Sequence, residues 1–219
     1  MGRVSKPVQR IVIIILALVL VLPIGFFGLS ELMGPREQPS ASPTDGPDRP
    51  AVDPADQPPR PEIPKPAEPA AMTQQTPEGA EATLTYLLDS YTYMMTTGDT
   101  SVWSNSVDPS CQVCTTFLGN AEQLHNQGGY LVDGEFTVES TSFTADGDES
   151  GAPTAGSVTA TFSQEASTII DDPTLQGGQL DAVSGDLTAQ MTWDGQRWRV
   201  LDMSIAPADG ASDGGGGAS

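Results

Sequence analysis

Basic residues are scarce in this sequence, and their placement limits the ligands that it can bind. Nine Lys and Arg stand against 29 Asp and Glu in 219 residues, a formal net charge of −20. Between residues 72 and 206 the only Lys or Arg are Arg197 and Arg199. Because proteins that bind nucleic acids or anionic lipid head groups need cations to neutralise phosphates, nucleic acid is not an expected partner. Cationic ligands, divalent metal ions or simple solubility remain as reasons for the acidity.

Histidine and cysteine are nearly absent, which removes most metal and nucleophilic chemistry. His125, the only histidine, is expected near the C-terminal end of a helix, where its ring interacts favourably with the helix dipole. Cys111 and Cys114 are the only cysteines and supply two of the four ligands that zinc needs. We therefore predict no catalytic residues and no cofactor.

Long hydrophobic runs are also absent, except for one near the N-terminus. The 19 residues from Ile11 to Leu29 carry no charge. As a helix they would span about 28 Å, close to the hydrocarbon core of a bilayer. Three basic residues lie between positions 3 and 10, so the positive-inside rule places residues 1–10 in the cytoplasm. We predict a signal-anchor transmembrane helix at 11–30, a single-pass location in the cell membrane and an extracytoplasmic C-terminal part.

A cleaved signal peptide is the alternative interpretation of this run. Gly28 and Ser30 provide small residues at a suitable spacing for cleavage. The apolar run is longer than the roughly 7 to 15 residues of a signal-peptide core, which favours an uncleaved anchor. No cysteine lies nearby for lipid attachment.

The segment after the anchor has the composition of a linker. Residues 34–71 contain 12 prolines and no aromatic residue. Such a segment cannot bury enough apolar surface to offset its ordering entropy. We predict a disordered proline-rich linker at 31–71, a folded domain at 72–206 and a disordered glycine-rich tail at 207–219.

The first half of the domain has helical patterns. Thr76 followed by proline is a typical helix start, and apolar residues at helical spacing continue to Gly98, which favours a left-handed exit. This predicts a helix of about 20 residues. Asp99 is expected to cap a short second helix. Asp108 followed by proline is expected to begin a third helix, which ends at Gly128.

After Tyr130 the apolar residues alternate, which predicts strands near 136–138, 158–162, 187–193 and 196–204. A two-residue turn at Asp194 and Gly195 should place Met191 beside Trp198, and Ala189 beside Val200. The predicted fold class is α+β, with three N-terminal helices packed on one side of a curved, mostly antiparallel four-stranded sheet.

This order of elements resembles the cone-shaped nuclear-transport-factor-2-like (NTF2-like, or SnoaL-like) domain. The stretch from Thr76 to Cys114, with TPEGA, then TGD and then DPSCQVC, is similar to the opening of an uncharacterised family of actinobacterial envelope proteins, many of them lipoproteins. The resemblance implies the fold and an envelope location, and it implies no activity. This chain differs from the lipoprotein members in having a membrane span and no lipidation cysteine.

The spacing of Cys111 and Cys114 permits a disulfide. In the first turn of a helix, positions i and i+3 have Cα atoms about 5 to 6 Å apart. An outer compartment favours oxidation, and the short loop would stabilise the fold by about 2 kcal/mol. The alternative is a thiol-disulfide protein, because a helix N-terminus lowers the pKa of a thiol. That alternative requires an exposed Cys111 sulfur.

A candidate pocket lies in the concavity of the predicted sheet, and its residues are Tyr91, Met191, Trp198, Val200 and Asp202. Our leading hypothesis is a noncatalytic domain that binds an envelope protein or a small ligand there, and a deep pocket near Trp198 would support it. The alternative is a pocket enzyme of dehydratase or isomerase type, with Asp202 as the carboxylate and Tyr91 or Tyr93 as donors. A buried carboxylate in a closed cavity would favour the enzyme, and a filled cavity would exclude it.

One acidic loop partly matches a calcium-binding loop. Asp146, Asp148 and Ser150 occupy ligand positions of the motif, but Ser157 stands where the motif has Glu. Strands rather than helices are expected to flank the loop. The other interpretation is an exposed acidic turn.

Overall fold

The computed structural model describes residues 49–147 and 151–207. The predicted cytoplasmic segment, the predicted transmembrane helix at 11–30, the start of the predicted linker and nearly all of the predicted tail lie outside these residues. In the two described ranges, no helix has both the length and the apolar character needed to cross a membrane.

Three α-helices form the first half of the domain: α1 (Pro77–Thr97), α2 (Ser101–Ser106) and α3 (Gln112–Asn126). The side chain of Thr76 caps α1 by accepting the backbone N–H of Gly79. Gly98 ends the helix with a φ of +78°, a value that glycine adopts without strain. The predicted first helix is therefore confirmed at both ends.

The starts of α2 and α3 differ from the prediction by one to three residues. Asp99 accepts the backbone N–H of Ser101, but Thr100 is the residue that precedes the helix. Asp108 does not begin α3, because its carboxylate instead accepts the N–H and the hydroxyl of Ser110 in a turn. The helix begins after Cys111, whose sulfur accepts the N–H of Cys114 at 3.2 Å.

The strands form two antiparallel sheets, and their bounds are β1 (Tyr130–Asp133), β2 (Phe136–Ala145), β3 (Ala155–Gln164), β4 (Ser167–Ile170), β5 (Gly178–Leu180), β6 (Val183–Trp193) and β7 (Trp198–Pro207). The order β2-β3-β6-β7 confirms the predicted four-stranded sheet. A three-stranded sheet, β1-β4-β5, was not predicted. Its strands have only three or four residues each, too few to show an alternating pattern.

The β6–β7 hairpin has a different register from the predicted one. Met191 pairs with Val200 instead of Trp198, and the first pair beside the loop is Trp193 with Trp198. The backbone N–H of Asp194 donates to the carbonyl oxygen of Arg197, and the Asp194 carboxylate accepts the N–H groups of Gln196 and Arg197. The turn is therefore centred on Gly195 and Gln196, and the prediction of a turn at Asp194 and Gly195 is wrong.

A register shift at Leu201 then reverses the faces of β7. Gln190 pairs with Asp202 and Met191 pairs with Val200, which leaves Leu201 as an extra residue. Beyond this bulge, Met203 points into the core and pairs with Ala189, the predicted partner of Val200. Asp202 is exposed, so it does not continue the face formed by Trp198 and Val200.

Residues 49–71, which we call the strap, run along the surface of the domain. Arg49 forms a two-pronged ion pair with Asp171, with N–O distances of 2.7 and 3.0 Å. The N–H of Val52 donates to the carbonyl oxygen of Thr174, and the side-chain amide of Gln57 donates to that of Leu175.

Farther along the strap, Arg60 donates to the carbonyl oxygens of Gly128 and Gly129 and lies over the ring of Tyr130. The prediction of a disordered linker is therefore wrong for residues 49–71. Composition indicated too little apolar surface, but these contacts are mainly hydrogen bonds to carbonyl groups of the domain. Proline also lowers the entropy that an extended segment loses when it becomes ordered.

We expect the Arg49–Asp171 pair to stabilise the strap more than the second ion pair in the described residues, Lys65–Asp99. The first pair is largely buried, with side-chain exposures of 18% and 6%, whereas the second has 48% and 36%. Arg49→Ala should lower the free energy of unfolding by about 2 kcal/mol, because it leaves a buried carboxylate without its cation. Lys65→Ala should lower it by less than about 1 kcal/mol. Urea unfolding of the full-length protein in detergent, followed by tryptophan fluorescence, measures both, and equal losses would contradict this expectation.

Candidate functional site

The concave face of the four-stranded sheet and the three helices enclose a small cavity, which we call the aromatic recess. Its lining residues are apolar or aromatic with one exception, a glutamine: Leu88, Tyr91, Trp103, Phe117, Phe136, Phe162, Gln164, Val183, Leu187, Met203 and Ile205. Phe117, Val183 and Ile205 are half-buried, and Trp103 and Leu187 are buried. The free volume is about 30 Å³, enough for a water molecule or one small group.

Aromatic side chains fix the shape of the recess. The ring of Tyr91 lies edge-to-face against Trp103, Phe117 and Phe136, with centroid distances of 6.2, 5.6 and 5.7 Å. Phe136 stacks on Phe162 at 5.0 Å. Aromatic pairs in these geometries stabilise a fold by more than the burial of their surface alone. The packing of these rings against one another therefore holds the wall of the recess in place.

Two hydrogen-bond donors belong to this wall. Trp103 is 1% exposed, and its Nε1 is buried with no acceptor among the residues that the structure describes. Burial raises the pKa of Tyr91 to about 12, so its hydroxyl stays protonated at neutral pH. The amide of Gln164 already donates to the carbonyl oxygen of Gly134. The wall of the recess therefore contains one buried N–H without an acceptor and one tyrosine O–H.

Only Tyr91 of the predicted pocket residues lines the recess. Trp198, Val200 and Met191 are buried in the core, and Trp198 packs edge-to-face against Phe143 and Trp193 in a separate aromatic cluster. The indole N–H of Trp198 donates to the carbonyl oxygen of Gln74, and Trp198 is not among the residues that line the recess. The structure therefore places Trp198, Val200 and Met191 in the packed core, away from the recess.

The residues required for a dehydratase or isomerase do not meet. Asp202 is exposed, and its carboxylate accepts the backbone N–H of Met203. The hydroxyl of Tyr93 donates to Asp99, away from Tyr91. The recess has no carboxylate or histidine in its lining and far less volume than the roughly 300 to 1,000 Å³ typical of ligand pockets. The arrangement therefore lacks an acid–base pair.

The sequence reasoning missed most of the recess. Trp103, Phe117 and Phe162 lie in elements that the sequence predicts, the second and third helices and the strand near 158–162. Periodicity does not show which buried side chains of these elements border a cavity. The one sequence signal for the recess was that α2 and α3 each contain a single large aromatic residue, Trp103 and Phe117.

Cys111 and Cys114 form a disulfide, with Cα atoms 5.3 Å apart. Both residues are completely buried in the hydrophobic core. The thiol-disulfide alternative required an exposed Cys111 sulfur, and this burial argues against it. The bond joins the residue before α3 to the first turn of the helix.

The remaining candidate residues, His125 and those of the acidic loop, show no arrangement for catalysis or metal binding in the described part of the chain. The ring of His125 packs against Gly98, where a Cβ atom would collide with it. Asp146 begins an exposed turn after β2, whereas Asp148 and Ser150 lie outside the described residues. Across the described chain, no group of three or more His, Cys, Asp or Glu is arranged to hold a metal ion.

Removing the disulfide should destabilise the domain moderately. We expect Cys111→Ala combined with Cys114→Ala to lower the free energy of unfolding by about 2 kcal/mol, because the unfolded chain regains the entropy of an open four-residue loop. Gln112→Ala, at an exposed position between them, should change it by less than about 0.5 kcal/mol. Urea unfolding measures both variants, and an unchanged midpoint in the double variant would contradict a stabilising disulfide.

Three solved structures of similar shape have low sequence identity to this chain. The intermembrane-space region of chloroplast protein ARC6 has 13% identity and a TM-score of 0.47, over 62% of this chain and 99% of that one. An uncharacterised protein with a cystatin-like fold from Caulobacter vibrioides has 12% identity and a TM-score of 0.41, over 60% and 92%. An NTF2-like superfamily protein from Salmonella enterica serovar Typhimurium strain LT2 has 9% identity and a TM-score of 0.41, over 64% and 99%.

No protein with a curated description matches the chain. One family profile does match, and it covers residues 52–204. The match begins inside the strap, so most of the strap belongs to the family's domain together with the helices and both sheets. The family is described as one of unknown function. This chain is a member of that family, DUF6318.

Proposed function

We propose that this chain is a single-pass membrane protein that displays a noncatalytic, NTF2-like domain on the outer face of the cell membrane. In this proposal the helix at 11–30 is the anchor, and the domain binds an envelope protein through the aromatic recess. The uncharged apolar run with basic residues before it supports the anchor. The buried disulfide supports an oxidising compartment.

The observation that carries the binding function is the unpartnered indole N–H of Trp103 in an apolar wall. A buried donor without an acceptor costs free energy, about 1 to 3 kcal/mol, and a ligand oxygen would remove this cost. The aromatic rings beside it would contact an apolar group that carries the oxygen. Such a ligand needs no acid or base from the protein, in agreement with a noncatalytic role.

The size of the recess favours a protein partner over a free small molecule. Burying one apolar group contributes about 1.5 to 3 kcal/mol, and one hydrogen bond adds about 1 kcal/mol. The sum, about 2.5 to 4 kcal/mol, corresponds to a dissociation constant of about 1 to 15 mM. This is weak for a small ligand, but it suffices for one anchoring side chain within a larger interface. We therefore favour an envelope protein that inserts a side chain here.

Acetone, a carbonyl oxygen with two methyl groups, is small enough to be a suitable probe of the recess. In the full-length protein labelled with 5-fluorotryptophan, acetone at tens of millimolar should shift the ¹⁹F resonance of Trp103. The resonance of Trp198 should stay unchanged, because its indole N–H already donates to Gln74.

Two substitutions control this experiment. Val183→Trp should fill the mouth of the recess and abolish the shift, whereas Leu201→Trp, at a position that is 39% exposed outside the recess, should preserve it. Equal shifts of all three tryptophans, or a shift that survives Val183→Trp, would contradict binding in the recess.

The proposed topology predicts the state of the cysteines and of the N-terminus. Protein isolated from membranes, then unfolded and alkylated before reduction, should show no modified cysteine by mass spectrometry, and two when it is reduced before alkylation. Its mass should include the residues before the anchor. A mass that corresponds to a chain beginning after residue 30 would show a cleaved signal peptide. Free thiols before reduction would overturn the extracytoplasmic location.

A further inference from the structure

A second depression lies on the opposite side of α1 from the hydrophobic core, and we call it the acidic groove. Its volume is about 500 Å³, and it runs between α1, the end of the strap and strand β2. Its lining residues come from these three segments: Pro66, Ala67, Pro69, Glu78, Glu81, Ala82, Thr85, Tyr86, Asp89 and Thr141. It shares no lining residue with the aromatic recess.

The carboxylates of the groove follow one stripe of α1. Glu78, Glu81 and Asp89 are three and eight residues apart, a spacing that keeps them on one side of the helix. No Lys or Arg lines the groove. Lys65, the residue before its first strap residue, instead binds Ser101 and Asp99. The groove therefore presents negative charge without a matching cation from its own walls.

The surroundings of two of these carboxylates, Glu81 and Asp89, are favourable for a bound cation. Glu81 accepts hydrogen bonds from the hydroxyl of Thr141 and the backbone N–H of Phe143, which fix its position. Asp89 is an exposed residue, but partial burial of its carboxyl group raises the pKa of that group. A cation at this carboxylate would offset the lost hydration.

The other wall of the groove is apolar. Pro66, Ala67 and Pro69 face α1, and the hydroxyl of Tyr86 donates to the carbonyl oxygen of Pro66 at 3.2 Å, which ties this wall to the helix. Lysine and arginine side chains bury an apolar stem and keep a charged end in a polar environment. The apolar wall of the groove matches the stem of such a side chain, and the row of carboxylates matches its charged end.

The spacing of the carboxylates selects the shape of the ligand. Glu81 and Asp89 are separated by about 12 Å along the helix axis. This distance is too long for one metal ion, and it equals about four residues of an extended or polyproline peptide. We infer that the acidic groove binds an extended basic peptide segment of a partner protein, with cationic residues at positions i and i+4.

A rhodamine-labelled peptide of sequence Lys-Pro-Ala-Pro-Lys, which favours an extended conformation, tests this inference by fluorescence anisotropy on the full-length protein in detergent. Binding should weaken as salt is added, because the charges of the groove are open to solvent. Glu78→Gln combined with Asp89→Asn should weaken it about fivefold at low salt. Both side chains are exposed, so the fold should persist.

A matched control separates groove binding from general attraction to an acidic protein. Glu122→Gln combined with Glu165→Gln removes the same two charges from exposed positions outside the groove and should leave affinity within about twofold. Equal weakening by both double variants, or equal binding of a peptide with glutamine in place of both lysines, would overturn the inference. Val183→Trp should not affect peptide binding, so failure of the groove and failure of the aromatic recess are distinguishable.

Discussion

The packing of α1 against the concave face of the four-stranded sheet is the contact on which the rest of the structure depends. One side of this helix buries Leu84 and Leu87 in the core and places Tyr91 in the wall of the aromatic recess. The other side carries the carboxylates of the acidic groove. Hydroxyls of Thr92 and Thr96 donate to carbonyl oxygens of the β1 segment and fix the helix to the smaller sheet. A rotation of α1 would therefore alter both candidate sites together.

The strap changes how the domain joins the predicted anchor. Its hydrogen bonds use side chains of the strap and mostly carbonyl oxygens of the domain, so it needs little apolar surface of its own. Because Pro66, Ala67 and Pro69 form one wall of the acidic groove, the strap also contributes to a candidate binding surface. In the proposed topology, the spacer between membrane and domain shortens to residues 31–48, and a partner in the groove would contact the strap directly.

The contents of the sheet's concavity are the reason why we propose binding rather than catalysis. Aromatic side chains fill most of the space in which a pocket enzyme would hold its substrate, and the lining residues include no carboxylate or histidine. What remains is a small recess with an unpartnered N–H in its wall. In the two proposals, the charged groove on the outer side of α1 and the recess on its inner side bind different chemical groups.

The sequence by itself determined the features that arise from neighbouring residues: the cap and exit of α1, the α+β order, the four main strands and a cysteine pair close enough to join. These depend on interactions over one to four positions along the chain. Only the tertiary structure decided the face of Asp202, the second sheet, the course of the strap and the location of both candidate sites. The bulge at Leu201 reverses the alternation of β7, and it is set by pairing with β6 rather than by the residues of β7 alone. The strap is similarly ordered by partners such as Asp171, more than 100 residues away, which composition cannot reveal.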